Sequence, residues 1–306
     1  MENMRSDTES RAAELGAGGT SDKFLSVNGV RVHYLDAPGG SPPIVMLHGL
    51  SANAYCFSGL VGEGLSPTFR IIAPDLRGRG RTDKPATGYS MAEHAADVIG
   101  LLDALGLDRV ILAGHSFGGY VAIYLASKFP ERIEKLIVID AAITLNPRVN
   151  ELLKPSLDRL TRVSPSVDAY ISEARDAPHL AGFWDAHIEQ FFRAEIQENA
   201  DGTAQSATSA SAIGQAMLGL RSEPWLELVK SVKQPVLFLN AVGAYGPPGT
   251  PALVEPEYAR ATADAFPNVR YVVVPGNHMT MVFGPGAAAV NREIERFVLG
   301  DASAGQ

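Results

Sequence analysis

Short apolar runs punctuate the chain near residues 23–28, 30–36, 43–48, 69–74, 108–113, 133–139, 235–240 and 269–274. Between most of them apolar positions recur at helical spacing, at about 53–65, 91–105, 117–129, 255–265 and 286–299. This alternation predicts an α/β fold: a mostly parallel, twisted, eight-stranded sheet with helices on both faces. Val27-Asn28-Gly29-Val30 predicts a hairpin between the first two strands, because Asn-Gly accepts the positive φ of a tight turn. The alternation stops between the sixth and seventh strands. There residues 143–232 read as helices separated by polar breaks such as N-A-D-G-T-A-Q-S-A-T-S-A-S, with no strand signal. The chain thus divides into a core of 21–142 and 233–300, a helical insertion at 143–232, and a polar, charged segment, 1–20, expected to be a disordered tail.

The fifth apolar run ends in V-I-L-A-G-H-S-F-G-G (110–119) and leads directly into a helical pattern. A strand, a G-x-S-x-G turn and a helix in that order form a nucleophile elbow. The turn strains its central residue, and Gly114 and Gly118 must lack side chains so that strand and helix can approach. Ser116 is pushed out at the carboxyl end of the sheet. The competing reading, a dinucleotide-binding loop, needs glycine at position 116.

A nucleophilic serine needs oxyanion donors and a base. The run P-I-V-M-L-H-G-L (43–50) ends in a turn whose Leu50 N–H, with the N–H of Phe117 after the nucleophile, can face a substrate oxyanion. His48 is read as a pin for that turn rather than as the base. His278 is the candidate base, because Gly276-Asn277-His278 directly follows the last strand, R-Y-V-V-V-P. The other histidines lie elsewhere: His33 in an early strand, His94 in a helix, His179 and His187 in the insertion. His115 is expected to point away from Ser116.

Four motifs in order, L-H-G-L, A-P-D-L-R-G-R-G-R-T-D-K-P (73–85), G-H-S-F-G-G and P-G-N-H (275–278), together resemble the α/β-hydrolase superfamily. The resemblance implies the α/β-hydrolase sheet, a structural bracing role for Asp75 and Arg77, and a cap over the nucleophile at the insertion point. It also implies a triad acid soon after the seventh strand. Here that stretch, N-A-V-G-A-Y-G-P-P-G-T-P-A-L-V, holds no acid before Glu255. Asp140 is the replacement candidate. It ends the sixth strand in E-R-I-E-K-L-I-V-I-D, which resembles the haloalkane dehalogenase and zearalenone lactonase branches, where a Glu ends that strand. The alternative for Asp140 is a turn cap. Glu255 is accounted for by its place before a helix, where a carboxylate meets the positive end of the dipole.

Composition adds exclusions. The net charge of −8 argues against nucleic acid and anionic membrane surfaces. No run approaches a membrane span. A single cysteine, Cys56, forms no internal disulfide and suggests a reducing cytoplasm; it is read as buried packing. The histidines lack metal-ligand spacing, so neither metal nor cofactor is expected. A homodimer is compatible with the chain.

The reading is a capped serine hydrolase with Ser116, His278 and Asp140 as catalytic residues and Leu50 and Phe117 as oxyanion donors. It cleaves a carboxylic ester or lactone of a small molecule. The alternatives are C–C or amide hydrolysis, or a ligand receptor with little turnover on the same scaffold. Phe183, Trp184, Phe191 and Phe192 are the candidate substrate contacts, with Met217 and Trp225 the other large apolar residues of the insertion. Those aromatics predict a bulky, mostly apolar acyl or alcohol group.

Overall fold

A computed structural model describes residues 19–144 and 146–300 of the 306-residue chain. Apart from Gly19 and Thr20, the expected tail lies outside the described residues. The strands of the main sheet are β1 (Ser21–Val27), β2 (Val30–Ala37), β3 (Ile44–Leu47), β4 (Ile71–Pro74), β5 (Val110–His115), β6 (Ile133–Ile139), β10 (Val236–Ala241) and β11 (Val269–Val274). They pair in the order β1-β2-β4-β3-β5-β6-β10-β11. The β1–β2 and β2–β4 pairs are antiparallel and the other five are parallel. The central strands are buried along their whole length, which is why they appear in sequence as unbroken apolar runs rather than alternating ones. Asn28 and Gly29 both take positive φ, 50° and 75°, and close the β1–β2 hairpin.

Helices α1 (Met91–Ala104), α2 (Phe117–Lys128), α8 (Pro256–Ala263) and α9 (Gly284–Leu299) cover the sheet. A capping box between Ser90 and Glu93 starts α1. The continuous helix expected at 53–65 is instead a chain of short pieces: a 3-10 turn at Ala54–Phe57, one helical turn at Ser58–Leu60, and a wide turn at Val61–Leu65. Gly64, at φ 98°, ends the helical path, so apolar spacing alone overstated its length.

The insertion carries α3 (Val149–Arg159), α4 (Val167–Arg175), α5 (Ala186–Ala194), α6 (Ala210–Arg221) and α7 (Trp225–Ser231). It also holds a small antiparallel sheet, ordered β7-β9-β8, from Val163–Ser164, Ala204–Ser206 and Ile196–Glu198. The purely helical reading of 143–232 is corrected on this point. Strands of two or three residues are too short to show an alternating pattern.

The elbow sits where β5 passes into α2. A Cβ on Gly114 would stand 2.1 Å from the Gly118 carbonyl oxygen, and one on Gly118 would stand 2.0 Å from that of Leu47. Both obstacles are backbone, so neither can swing aside. Gly118→Ala should therefore cost about 3 kcal/mol or more in chemical denaturation. Gly214→Ala, where a Cβ meets nothing within 4 Å on α6, should be neutral or stabilising. Equal, small effects at both positions would contradict this account of the turn.

Candidate active site

Ser116 is held at φ 54° and ψ −121°, outside the regions open to ordinary L-residues, and the helix α2 begins at the next residue. The N–H of Phe117 is the first of that helix and has no intrahelical acceptor. The Leu50 N–H lies in the turn after β3, and neither N–H has a backbone acceptor among the described residues. His48 pins this turn as expected: its Nδ1–H donates to the Gly49 carbonyl at 2.8 Å, and its Nε2 accepts the Leu76 N–H at 2.9 Å. Complete burial pushes its pKa down to about 4, so it stays neutral.

His278 follows β11 and projects toward the end of β6. Its Nδ1–H donates to Asp140 Oδ2 at 2.7 Å. The other oxygen, Oδ1, accepts from the Asn240 side-chain amide at 2.7 Å and from the Ala241 N–H at 3.0 Å. Asn240 is itself held by Tyr271, whose hydroxyl donates to Oδ1 of the amide at 2.8 Å. Asp140 has no solvent exposure, so these donors are what keep a buried carboxylate tolerable. Glu255 goes elsewhere: it sits at the start of α8 and accepts from the Asn146 side chain. Among the two candidates, Asp140 is the carboxylate that meets His278.

Ser116, His278, Gly49 and Leu50 line one cavity of about 70 Å³. Ser116 Oγ has no hydrogen-bond partner there among the described residues. Of the four predicted contacts, Phe191 and Phe192 line this cavity and Phe183 and Trp184 do not. Phe183 lies against Gly284, and Trp184 stacks on Phe192 at 5.6 Å with the Arg175 guanidinium 5.1 Å from its ring centre. Their size signalled burial, but Phe183 and Trp184 precede α5, and it is Phe191 and Phe192 on that helix that reach the cavity. Met217 and Trp225 pack against the core, Trp225 on Tyr120 at 5.0 Å.

Polar side chains share the lining with the aromatic rings. Ser156, Arg159, His179 and Tyr245 line it beside Leu153, Leu157 and Met279. Tyr245 comes from the loop after β10, where the acid was sought, and its ring meets His278 edge-on at 5.6 Å. His179 stacks on Tyr245 at 4.8 Å, and its pKa falls to about 4 through burial, then through the charge of Arg159. Arg159 is held by buried Glu195 at 2.7 Å, and Tyr170 donates to the same carboxylate. Burial opposes the Arg159 charge, but Glu195 and Tyr170 more than offset it and raise its pKa.

His115 corrects a further expectation. Its ring does not turn away from the site but lies 4.6 Å from the His278 ring, and its Nε2–H donates to the His278 carbonyl at 2.8 Å. The turn at Ser116 breaks strand alternation, so the side-chain direction could not be read from β5. Burial, then the charge of His278, keeps His115 neutral.

Bracing by the 73–85 loop is confirmed in detail. Asp75 accepts from His33 at 2.7 Å, from the Ala54 N–H at 2.7 Å and from the Arg81 N–H at 2.8 Å. Arg77 forms a buried pair with Asp97 at 2.6 Å. Cys56 is buried, as expected. A larger cavity of about 380 Å³ opens between β1, β2 and α5, but it contains neither Ser116 nor His278. The smaller cavity is the candidate site because the reactive groups converge there. Among the described residues no His, Cys, Asp and Glu cluster could hold a metal ion, and no helix is long and apolar enough to cross a membrane.

The sequence profile of the family described as alpha/beta hydrolase fold matches residues 42–285, and the chain belongs to that family. It is 28% identical over 269 residues to a 2-(acetamidomethylene)succinate hydrolase of Mesorhizobium japonicum, covering 86% of this chain and 91% of the relative. A crystal structure of an E-2-(acetamidomethylene)succinate hydrolase superposes with a TM-score of 0.80 at 24% identity, covering 92% of this chain and all of that one, a likeness of fold. An uncharacterized protein of Mycobacterium tuberculosis is 39% identical over 119 residues, and this match spans only 34% of the relative's length.

The hydrogen bonds around Asp140 make a sharp case for one substitution. In Asp140→Asn, the amide oxygen is drawn to the two donors on the Oδ1 side, so its NH₂ must face His278 and force the wrong tautomer. If the chemistry runs through His278, kcat should fall roughly 10³–10⁴-fold with KM little changed. Glu255→Gln should leave both near the parent values. Steady-state kinetics with a chromogenic ester checks this, and a dead Glu255→Gln beside an active Asp140→Asn would reverse the assignment.

Proposed function

We propose that the protein is a serine hydrolase that cleaves a carboxylic ester or lactone through an acyl-enzyme. The observation that carries the reading is the 2.7 Å bond from His278 Nδ1 to Asp140, in a cavity shared with a strained Ser116. As Ser116 Oγ attacks the carbonyl carbon, its proton passes to His278 Nε2, and the carbonyl electron pair becomes an oxyanion facing the N–H groups of Leu50 and Phe117. Collapse expels the alkoxide, which takes the proton from His278. Water then attacks the acyl carbon, gives its proton to His278, and Ser116 leaves as the free hydroxyl. Asp140 keeps the imidazole in the tautomer that both half-reactions need.

The 143–232 insertion acts as a cap in this reading, because α3 and α5 supply one wall of the cavity. A volume of about 70 Å³ suits a compact acyl group, less bulky than the aromatic count suggested. Arg159, braced by Glu195, favours a polar or anionic substituent on that group. Amide hydrolysis is the second reading. It is favoured by the match along nearly the full length of a relative whose named substrate contains an acetamido group.

A fluorophosphonate probe should label the protein once, at Ser116, and Ser116→Ala should abolish both labelling and hydrolysis. Among p-nitrophenyl esters, acetate and butyrate should exceed octanoate, and Phe191→Ala or Phe192→Ala should shift the preference toward longer chains. Labelling that survives Ser116→Ala would sink the nucleophile assignment. A single burst with no turnover would favour the receptor reading.

A further inference from the structure

One of the molecule's largest fully buried side chains is a cation, and it stands directly behind the oxyanion turn. Arg79 has no solvent exposure. Its Nε donates to the Leu50 carbonyl at 3.0 Å and its Nη1 to the Arg77 carbonyl at 2.6 Å, with His94 Nε2 at 3.1 Å. Nη2 has no partner. The guanidinium carbon lies 5.2 Å over the Phe117 ring. Arg79 therefore touches both residues whose N–H groups face the candidate oxyanion position.

No carboxylate balances it among the described residues. The neighbouring Arg77 is committed to Asp97, Tyr89 is neutral, and burial, then Arg79's own charge, keeps His94 neutral. Burial lowers the Arg79 pKa to about 9, which still leaves it cationic at neutral pH. A buried cation without a counter-ion is costly, and packing alone would be served as well by an apolar chain. Something must compensate for that cost.

We propose that Arg79 is a positioning residue that holds an unbalanced positive charge behind Leu50 and Phe117, to be met by negative charge when the substrate oxyanion forms. The inference rests on the serine-hydrolase reading. An interaction present in the tetrahedral state and absent with bound neutral substrate raises kcat and leaves KM unchanged. The hydrogen bond to the Leu50 carbonyl also holds that residue from the side opposite its N–H, while His48 holds the Gly49–Leu50 peptide that carries the N–H.

His94 offers a test that leaves Arg79 in place. His94→Glu introduces the missing counter-charge beside the guanidinium, and His94→Gln is its neutral control of the same shape. The expected result is a kcat about tenfold or more lower in His94→Glu than in His94→Gln, at similar KM and with no loss of melting temperature. Affinity for an alkylboronic acid, which forms an anionic tetrahedral adduct, should fall by the same factor. As a companion pair, Arg79→Lys should retain more kcat and boronate affinity than Arg79→Gln. Equal kcat and boronate affinity for the two His94 variants would overturn the proposal, as would an Arg79→Lys no better than Arg79→Gln. Failure of the underlying reading looks different: the parent enzyme would then keep its turnover after Ser116→Ala.

Discussion

The buried carboxylate of Asp140 is the constraint on which the site depends. It sits at the end of β6 with φ 52°, accepts from Asn240 and Ala241 at the end of β10, and reaches His278 after β11. Three neighbouring segments at the carboxyl edge of the sheet thus converge on one anion. A fully buried carboxylate is tolerable only while its donors hold their places, so the charge fixes the loop that carries the imidazole. Register between β6 and β10 and between β10 and β11 is what delivers those donors.

Charge is distributed around that anion with evident separation of roles. His48, His115 and His179 are all held neutral by burial, leaving His278 as the histidine of the cavity paired with an acid. Neutral neighbours can donate or accept hydrogen bonds and pack against the His278 ring without adding charge beside it. Two cationic side chains stand nearby: Arg159 lines the cavity from the insertion, and Arg79 holds the Leu50 carbonyl behind the turn. One is neutralised by Glu195 and the other is not. The insertion therefore contributes a fixed polar wall as well as aromatic surface.

The sheet was legible because buried strands leave continuous apolar runs, and the elbow because its glycines answer to backbone contacts near 2 Å that no other residue permits. Asp140 became a candidate through the resemblance, once the stretch after β10 was seen to lack an acid and the sixth strand to end like the branches that carry theirs there. What could not be read depends on tertiary placement. Trp184 and Phe192 are both large aromatics of the insertion, yet only Phe192 reaches the cavity. Arg159 and Tyr245 carried no local signal for a place beside Ser116, since their side chains are aimed by Glu195 and by the packing of the insertion on the core. His115 was placed on the wrong side because strand alternation fails at a strained turn. The three short strands of the insertion lacked the length that makes a β pattern visible.

The central claim is that Ser116 becomes acylated and is then released by water. Rapid-quench mass spectrometry of the intact protein during turnover of a p-nitrophenyl ester measures this directly. The account predicts a transient mass increase equal to the acyl group, located on Ser116, that decays as substrate is exhausted. Hydrolysis at full rate with no acylated protein at any time, and with one atom of labelled solvent oxygen passing straight into product without that intermediate, would contradict it.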